Sequence, residues 1–435
     1  MNSLSVDEAK LISFFGRANW TFRDKYLFTA SLRRDGSSRF GAGNQWGLFP
    51  SFAAAWRLSD EPFLADVAVL SDLKVRFSWG VNGNQSFSNY LYVPTYTPGG
   101  QQASYQFGNQ FVTTIRPSAV DPNIKWEQTT STNFGIDYGF LNDRFTGTVD
   151  VYTKTTDDLI FSVPVPAGTL PGNYVTTNIG SMKNTGFELG LSAVILDGRS
   201  SGWRYDAGFA ISSNQNEITA ISANASDRIT TGGIGLGDRI QVLQPGSPFN
   251  SFYVYEHKKG AAGNAAPIDM YVDRNNDGII NQDDLRAYKN PAPRWIIGHT
   301  STASYGKWDF SATARMYIGN YVYNQTAAAG YYQSLTGAAP SNLPASVLKT
   351  GFTQRQAFSD VYVEDASFFR LDNISASYTF RGLRGVSSVR LFGTIQNVFT
   401  STGYTGVDPL AGVNGIDSNI FPASRTITTG LNIAF

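Results

Sequence analysis

The sequence predicts an all-β protein: the wall of a transmembrane antiparallel β-barrel, with short periplasmic turns on one side and long extracellular loops on the other. Three observations predict it. An apolar–polar period of two recurs along the 435 residues, the links between segments are alternately tight and long, and aromatic residues gather beside the tight links.

The period of two comes first, because successive side chains of a strand point to opposite faces. Phe14, Ala18, Trp20 and Phe22 are apolar, whereas Phe15, Arg17, Asn19 and Thr21 between them are mostly polar. Leu73, Val75, Phe77, Trp79 and Val81 alternate with Lys74, Arg76, Ser78 and Gly80. Phe134, Ile136, Tyr138 and Phe140 alternate with Asn133, Gly135, Asp137 and Gly139, and Trp308, Phe310, Ala312, Ala314, Met316 and Ile318 with Asp309, Ser311, Thr313 and Arg315. Roughly thirteen such segments occur, most of about ten residues, the length a tilted strand needs to cross the hydrocarbon layer.

The links come second. Tight ones are expected at residues 23–25, 141–144, 197–200, 305–307 and 381–385, and long, polar, Gly-rich ones at 83–125, 214–293 and 320–367. Following this alternation places the C-terminus on the periplasmic side.

The aromatics come third. Trp20, Phe22 and Tyr26 flank one tight link, Phe140 and Phe145 another, and Trp203 and Trp308 open segments directly after turns. A soluble β-sandwich shares the alternation. It has no use for an interfacial belt, whereas a barrel in lipid needs one.

Composition excludes other classes. Charged residues make up only 16%, and 34 basic against 34 acidic residues leave no broad footprint for nucleic acid. Two His and no Cys exclude disulfides, thiolate chemistry and the usual zinc clusters. Residues 1–10 (MNSLSVDEAK) lack the basic start and apolar core of a secretory signal, and no apolar run approaches the roughly 18 residues of a spanning helix.

No catalytic constellation emerges, so the chain is read as a non-enzyme. His257 and His299 lie far apart without a nucleophile elbow nearby, and read as loop or strand polarity. Asp157 and Asp158, adjacent on an extended strand, point apart and read as solvated loop charge. The Gly-rich run from Thr231 to Gly237 lacks the helix and lysine of a phosphate cradle, and reads as a flexible extracellular loop.

Residues 25–41 (KYLFTASLRRDGSSRFG) with 46–51 (WGLFPS), 178–188 (NIGSMKNTGFE), 362–371 (YVEDASFFRL), 396–400 (QNVFT), Tyr404, Asp408-Pro409 and 421–425 (FPASR) follow one another in the order of a known pattern. Together they resemble the SusC/RagA family of TonB-linked (TonB-dependent) outer-membrane transporters, over nearly the whole chain. The resemblance implies import of large nutrients, oligosaccharides (glycans) or peptides, across the outer membrane of a Gram-negative bacterium. It also implies a SusD-like surface lipoprotein as lid and the TonB complex as partner. On this reading residues 1–435 are roughly the last 13 strands of a barrel of about 22. The family's signal peptide, TonB box and plug domain are not visible before Leu11, so the chain reads as a C-terminal fragment. A passive porin or a surface-binding barrel is the rival reading; it would show a complete strand set and its own signal peptide.

Three groups of residues carry further expectations. Arg17, Arg33, Arg57, Lys74, Arg76, Glu188, Arg204 and Arg315 fall on the inward face. They either hydrate the lumen or line a substrate path. The final segment, with Gly430, Ile433 and the terminal Phe435, resembles the signal read by the outer-membrane insertion machinery. Finally, residues 273–284 place Asp273, Asn275, Asp277, Asn281 and Asp284 at positions 1, 3, 5, 9 and 12 of a calcium loop, with Gly278 at the sixth. The Ile279 carbonyl would be the seventh-position ligand. The shorter Asp284 stands where Glu is usual, so Asp283 is an alternative ligand, and the expected role of Ca²⁺ is structural.

Overall fold

The computed structural model describes residues 7–98, 104–165, 168–198, 202–221, 228–333, 342–382 and 385–435. The tight links expected at 197–200 and 381–385 include residues 199–200 and 383–384, and the reading of 1–10 includes 1–6; these lie outside the described residues.

Thirteen strands form one sheet in strict chain order. They are β1 (Leu11–Phe22), β2 (Tyr26–Ser37), β3 (Trp46–Arg57), β4 (Leu70–Asn84), β5 (Glu127–Phe140), β6 (Phe145–Asp157) and β7 (Ser181–Asp197). There follow β8 (Trp203–Ala220), β9 (Trp295–Tyr305), β10 (Trp308–Ile318), β11 (Phe368–Arg381), β12 (Ser388–Thr402) and β13 (Thr426–Ala434). Every neighbouring pair is antiparallel, as hairpin connections require. Among the described residues β1 and β13 each pair on one edge only.

The tight turns are built by backbone conformation. Arg23 and Asp24 (φ 52° and 56°) reverse β1 into β2, and Leu141, Asn142 and Asp143 (φ 56–59°) reverse β5 into β6. Gly306 (φ 59°) serves between β9 and β10. One link on this side breaks the short-turn rule: residues 58–69 carry a 3₁₀ turn and fold back on the sheet. Glu61 fixes them by accepting from the Tyr26 hydroxyl (2.8 Å), the Trp56 indole (3.1 Å) and the Lys25 ammonium (3.3 Å). The indole and phenol hydrogen bonds hold its carboxyl below the usual range.

Register assigns the two faces. Phe22, Tyr26, Trp56 and Val75 are partners across β1–β4 and share the outward face, as do Phe209, His299 and Ala314 across β8–β10. Near the turns the outward aromatics stack: Trp20 on Phe28 (5.5 Å between centroids), Tyr26 on Trp56 (5.9 Å) and Trp203 on Tyr305 (4.7 Å). This is the expected girdle. His299 lies on this outward face against Phe209, and its Nδ1 and Nε2 pair with the Gly208 carbonyl and Ser301 hydroxyl at 3.0 and 2.8 Å. One neutral tautomer satisfies both bonds, so the ring meets lipid with no unpaired polar atom.

Glycines within strands make room for large partners directly across the ladder. Gly36 faces Trp46, Gly147 faces Tyr138, Gly186 faces Tyr152 and Gly430 faces Phe392. A Cβ at Gly186 would lie 2.3 Å from the Tyr152 ring. Each aromatic covers the bare backbone of its glycine partner.

The extracellular segments do not stay as loops. Strands β7 and β8, of 17 and 18 residues, exceed the roughly ten that span a membrane and carry a folded cap above it. In the cap Ile229–Gly233, Arg239–Leu243, Ser251–Val254 and Arg286–Tyr288 form an antiparallel sheet, and Tyr321–Asn324 joins Val363–Asp365 and Ile416–Asp417 in another. Ile240, Phe252, Val254, Tyr323 and Phe352 are fully buried in one core, each burial contributing about 2 kcal/mol. The Gly-rich run is therefore not the flexible loop its composition suggested. Thr231 to Gly233 lie in a paired strand and Ile234 is buried in the cap core.

Candidate functional site

The inward face carries the charge that alternation placed there, and the fold pairs most of it. On β4, Lys74 Nζ and Arg76 meet Asp137 of β5 at 2.6 and 2.8 Å, and Arg76 reaches Asp150 of β6 at 3.0 Å. Asn133 Nδ2 donates to the second oxygen of Asp150 at 2.9 Å. This array fits because Gly135 lies across from Arg76: a Cβ there would stand 2.7 Å from the guanidinium.

The remaining inward charges follow suit. Arg33 pairs with Asp35 and Arg204 with Asp206, both at 2.8 Å and both two residues apart on one strand face. Arg315 pairs with Asp372 at 3.0 Å beside the bulge of β11, Arg17 donates to Asn19, and Arg57 to the Asp24 carbonyl. Glu188 stands exposed between Asp150 and Ser212 in register. The sequence reading named Glu188 and Asp137 on this face but not Asp35, Asp150, Asp206 or Asp372, although the two-residue spacing of Arg33 with Asp35 and of Arg204 with Asp206 would have revealed two of them. Asp158 is likewise more than solvated charge, since it pairs with Lys125 at 2.8 Å.

At the extracellular mouth, three loops are tied by buried polar groups. Arg370 bonds Asp408 and Thr400, each at 2.8 Å, and the Tyr404 hydroxyl donates to Asp417 at 2.7 Å. Glu364 accepts from Asn324 (3.0 Å) and from the Thr405 amide (2.8 Å). His257 is built into the cap core against Tyr271 and Phe352. Its Nε2 is buried without a hydrogen-bond partner among the described residues, and burial pushes its pKa down despite nearby Asp360.

The loop at 273–284 turns where the spacing expects it to. Gly278 adopts φ 80° at the sixth position, Asp273 accepts from the Gly278 amide at 2.8 Å, and Asp277 accepts from the Ile279 amide at 2.8 Å. Asn275 Nδ2 bonds Asp277, and Asn281 Oδ1 accepts from the Asp283 amide. Of the two closing acids, Asp284 turns inward and is fully buried, with its oxygens bonded to the amides of Arg274 (2.7 Å) and Asn281 (2.9 Å); Asp283 stays exposed. Burial raises the Asp284 pKa, but the amides of Asn281, Arg274 and Asn275 outweigh it and hold the carboxyl below its usual range. Among the described residues no three His, Asp or Glu side chains gather closely enough to hold a metal.

Comparison with known proteins completes the picture. Residues 2–398 match the family model described as TonB dependent receptor-like, beta-barrel. The TonB-dependent receptor SusC of Bacteroides thetaiotaomicron is 39% identical over 98% of this chain and 44% of its own. A TonB-dependent receptor of Formosa agariphila is 30% identical over 98% of this chain and 46% of its own. The solved RagAB peptide importer in its open-open state has a TM-score of 0.79 and 26% identity, covering 100% of this chain and 48% of that one. The chain spans about half the length of the curated relatives it matches.

Proposed function

Because the chain belongs to the TonB-dependent receptor-like β-barrel family, and within it resembles SusC and RagA, we propose that it builds part of the wall and the surface cap of an active importer of large nutrients. Proteins of this family reside in the outer membrane of Gram-negative bacteria, and so does this chain. The cargo class on this reading is an oligosaccharide or a peptide; RagAB is a peptide importer. The observation that carries the reading is the two-faced sheet: an apolar outward face with an aromatic girdle, an inward face of paired charge, and a folded cap on one side only.

The partners follow from the same reading. A SusD-like lipoprotein would seat on the cap, where Leu236, Leu348 and Val413 stand more than 80% exposed. The TonB complex would act through the plug and TonB box that the family places ahead of its barrel, and the insertion machinery would read the strand ending in Phe435. We also propose that Ca²⁺ binds residues 273–284 in a structural role, with Asp273, Asn275, Asp277, the Ile279 carbonyl, Asn281 and either Asp284 or Asp283 as ligands. The backbone turn at Gly278 supports this, and Asp284 would have to release its amide partners. No reaction is assigned to the chain.

Uptake of labelled oligosaccharides and peptides by cells lacking the intact protein tests the reading. Loss of uptake of one cargo, and equal loss when the proton-motive force is collapsed in wild-type cells, is the expected result. Uptake that continues after the collapse would instead indicate a passive porin.

A further inference from the structure

A cavity of about 870 Å³ lies between the extracellular ends of β7, β8 and β9 and the base of the cap. Its amide lining is asymmetric. Asn184 Oδ1 accepts from Nδ2 of Asn214 (3.3 Å) and of Asn216 (2.9 Å), Asn214 Oδ1 accepts from the Tyr152 hydroxyl (3.2 Å), and Asn216 Oδ1 accepts from the Phe249 amide (2.8 Å). Every amide oxygen of this ladder is engaged by the protein. Within this ladder the groups left over are N–H donors: both on Asn184 and one each on Asn214 and Asn216.

Two cations line the same space. Lys289 lies 4.9 Å from the centre of the Tyr321 ring, and Arg294 stands exposed at the entry to β9. Among the described residues neither takes part in an ion pair, unlike Arg76, Arg204 and Arg315 on the inward face of the wall. The other two charges on the lining, Lys183 and Glu217, are register partners across β7 and β8 and are of opposite sign, so they add no net charge. Donors plus uncompensated positive charge select an acceptor-rich anion.

We propose that this cavity is a binding subsite for an acidic oligosaccharide, one that carries carboxylate or sulfate groups. The amide N–H groups and Arg294 bond the oxyanions, Lys289 supplies charge, and the exposed Phe249 ring offers a flat apolar surface for a sugar face. An extended peptide is a poorer fit, because β7 is paired on both edges and the end of β8, which has no β9 partner beyond Ser213, is already tied to the 246–249 segment at Ile218 and Asn216. The inference rests on the import reading for its biological sense, but binding is measured independently of transport.

Calorimetry on the intact receptor in detergent would compare four probes of equal length: a uronate oligosaccharide, a sulfated one, a neutral one and a polyglutamate peptide. At least one acidic saccharide is expected to bind about tenfold or more tighter than the neutral one. The Lys289→Gln plus Arg294→Gln variant should lose that difference and its salt dependence while keeping the heat-modifiability of the folded barrel. Equal binding of neutral and acidic saccharides, or preference for the peptide, would overturn the proposal. So would an acidic preference that survives in the variant. Selective binding without uptake would leave the subsite standing and remove the import reading instead.

Discussion

Arg370 and Asp408, 38 residues apart in the chain, meet at 2.8 Å in a site where 5% and 8% of their surfaces remain exposed. Arg370 closes β11 to the loop after β12, and Thr400 takes its Nε at 2.8 Å while Asp408 also accepts from the Leu410 amide at 2.9 Å. The pair staples the extracellular mouth to the sheet. Because removal of one partner strands a buried charge, Arg370→Ala or Asp408→Ala is expected to cost about 3 kcal/mol. The double variant should cost little more than either single one. Urea titration of the intact protein in vesicles would measure this, and additive losses would show that the two groups act separately.

Strand glycines should separate into two classes. A Cβ at Gly430 would lie 2.5 Å from the Phe392 ring, whereas one at Gly393, in the neighbouring strand, meets nothing within 4 Å. Gly430→Ala is therefore expected to lower the folded, heat-modifiable fraction on electrophoresis, and Gly393→Ala to leave it unchanged. Phe435 is 91% exposed and packs on nothing among the described residues. Its deletion should reduce outer-membrane levels of the intact protein without changing the stability of molecules that do insert; unchanged levels would leave Phe435 as the end of an ordinary amphipathic strand.

The calcium proposal predicts a difference between two proteins. The intact receptor should bind Ca²⁺ in calorimetry, and the Asp273→Ala plus Asp277→Ala variant should not. Equal binding by both, or by neither, rejects the site.

His257 gives the cap a pH dependence whose sign is fixed by its burial. The folded pKa lies below the unfolded value near 6.5, so the unfolded state binds the proton more readily. The neutral ring's contribution is fully present above pH 6.5 and declines as pH falls below it. The protection factor of the Tyr271 amide, whose ring packs on His257, should fall between about pH 7.5 and 5.5 once the intrinsic exchange rate is divided out, and in His257→Gln the fall should be smaller.

The sequence by itself determined the two-sided strands, their approximate number, the tight turns at 23–25, 141–144 and 305–307 and the inward direction of the charges. These follow from a period of two and from local turn chemistry, both of which act over a few neighbouring residues. Tertiary structure alone decided which charges meet. Asp137 faces Lys74 and Arg76 because β4 pairs with β5 across 61 to 63 positions, a register that no short window contains. It also decided that the long segments fold into a cap. Ile240, Phe252, Tyr323 and Phe352 are scattered through polar, Gly-rich stretches, and their burial exists only once two distant loops close over one core. Local pattern fixes which way a side chain points; what it points at is set by contacts whose chain separation exceeds the pattern's reach.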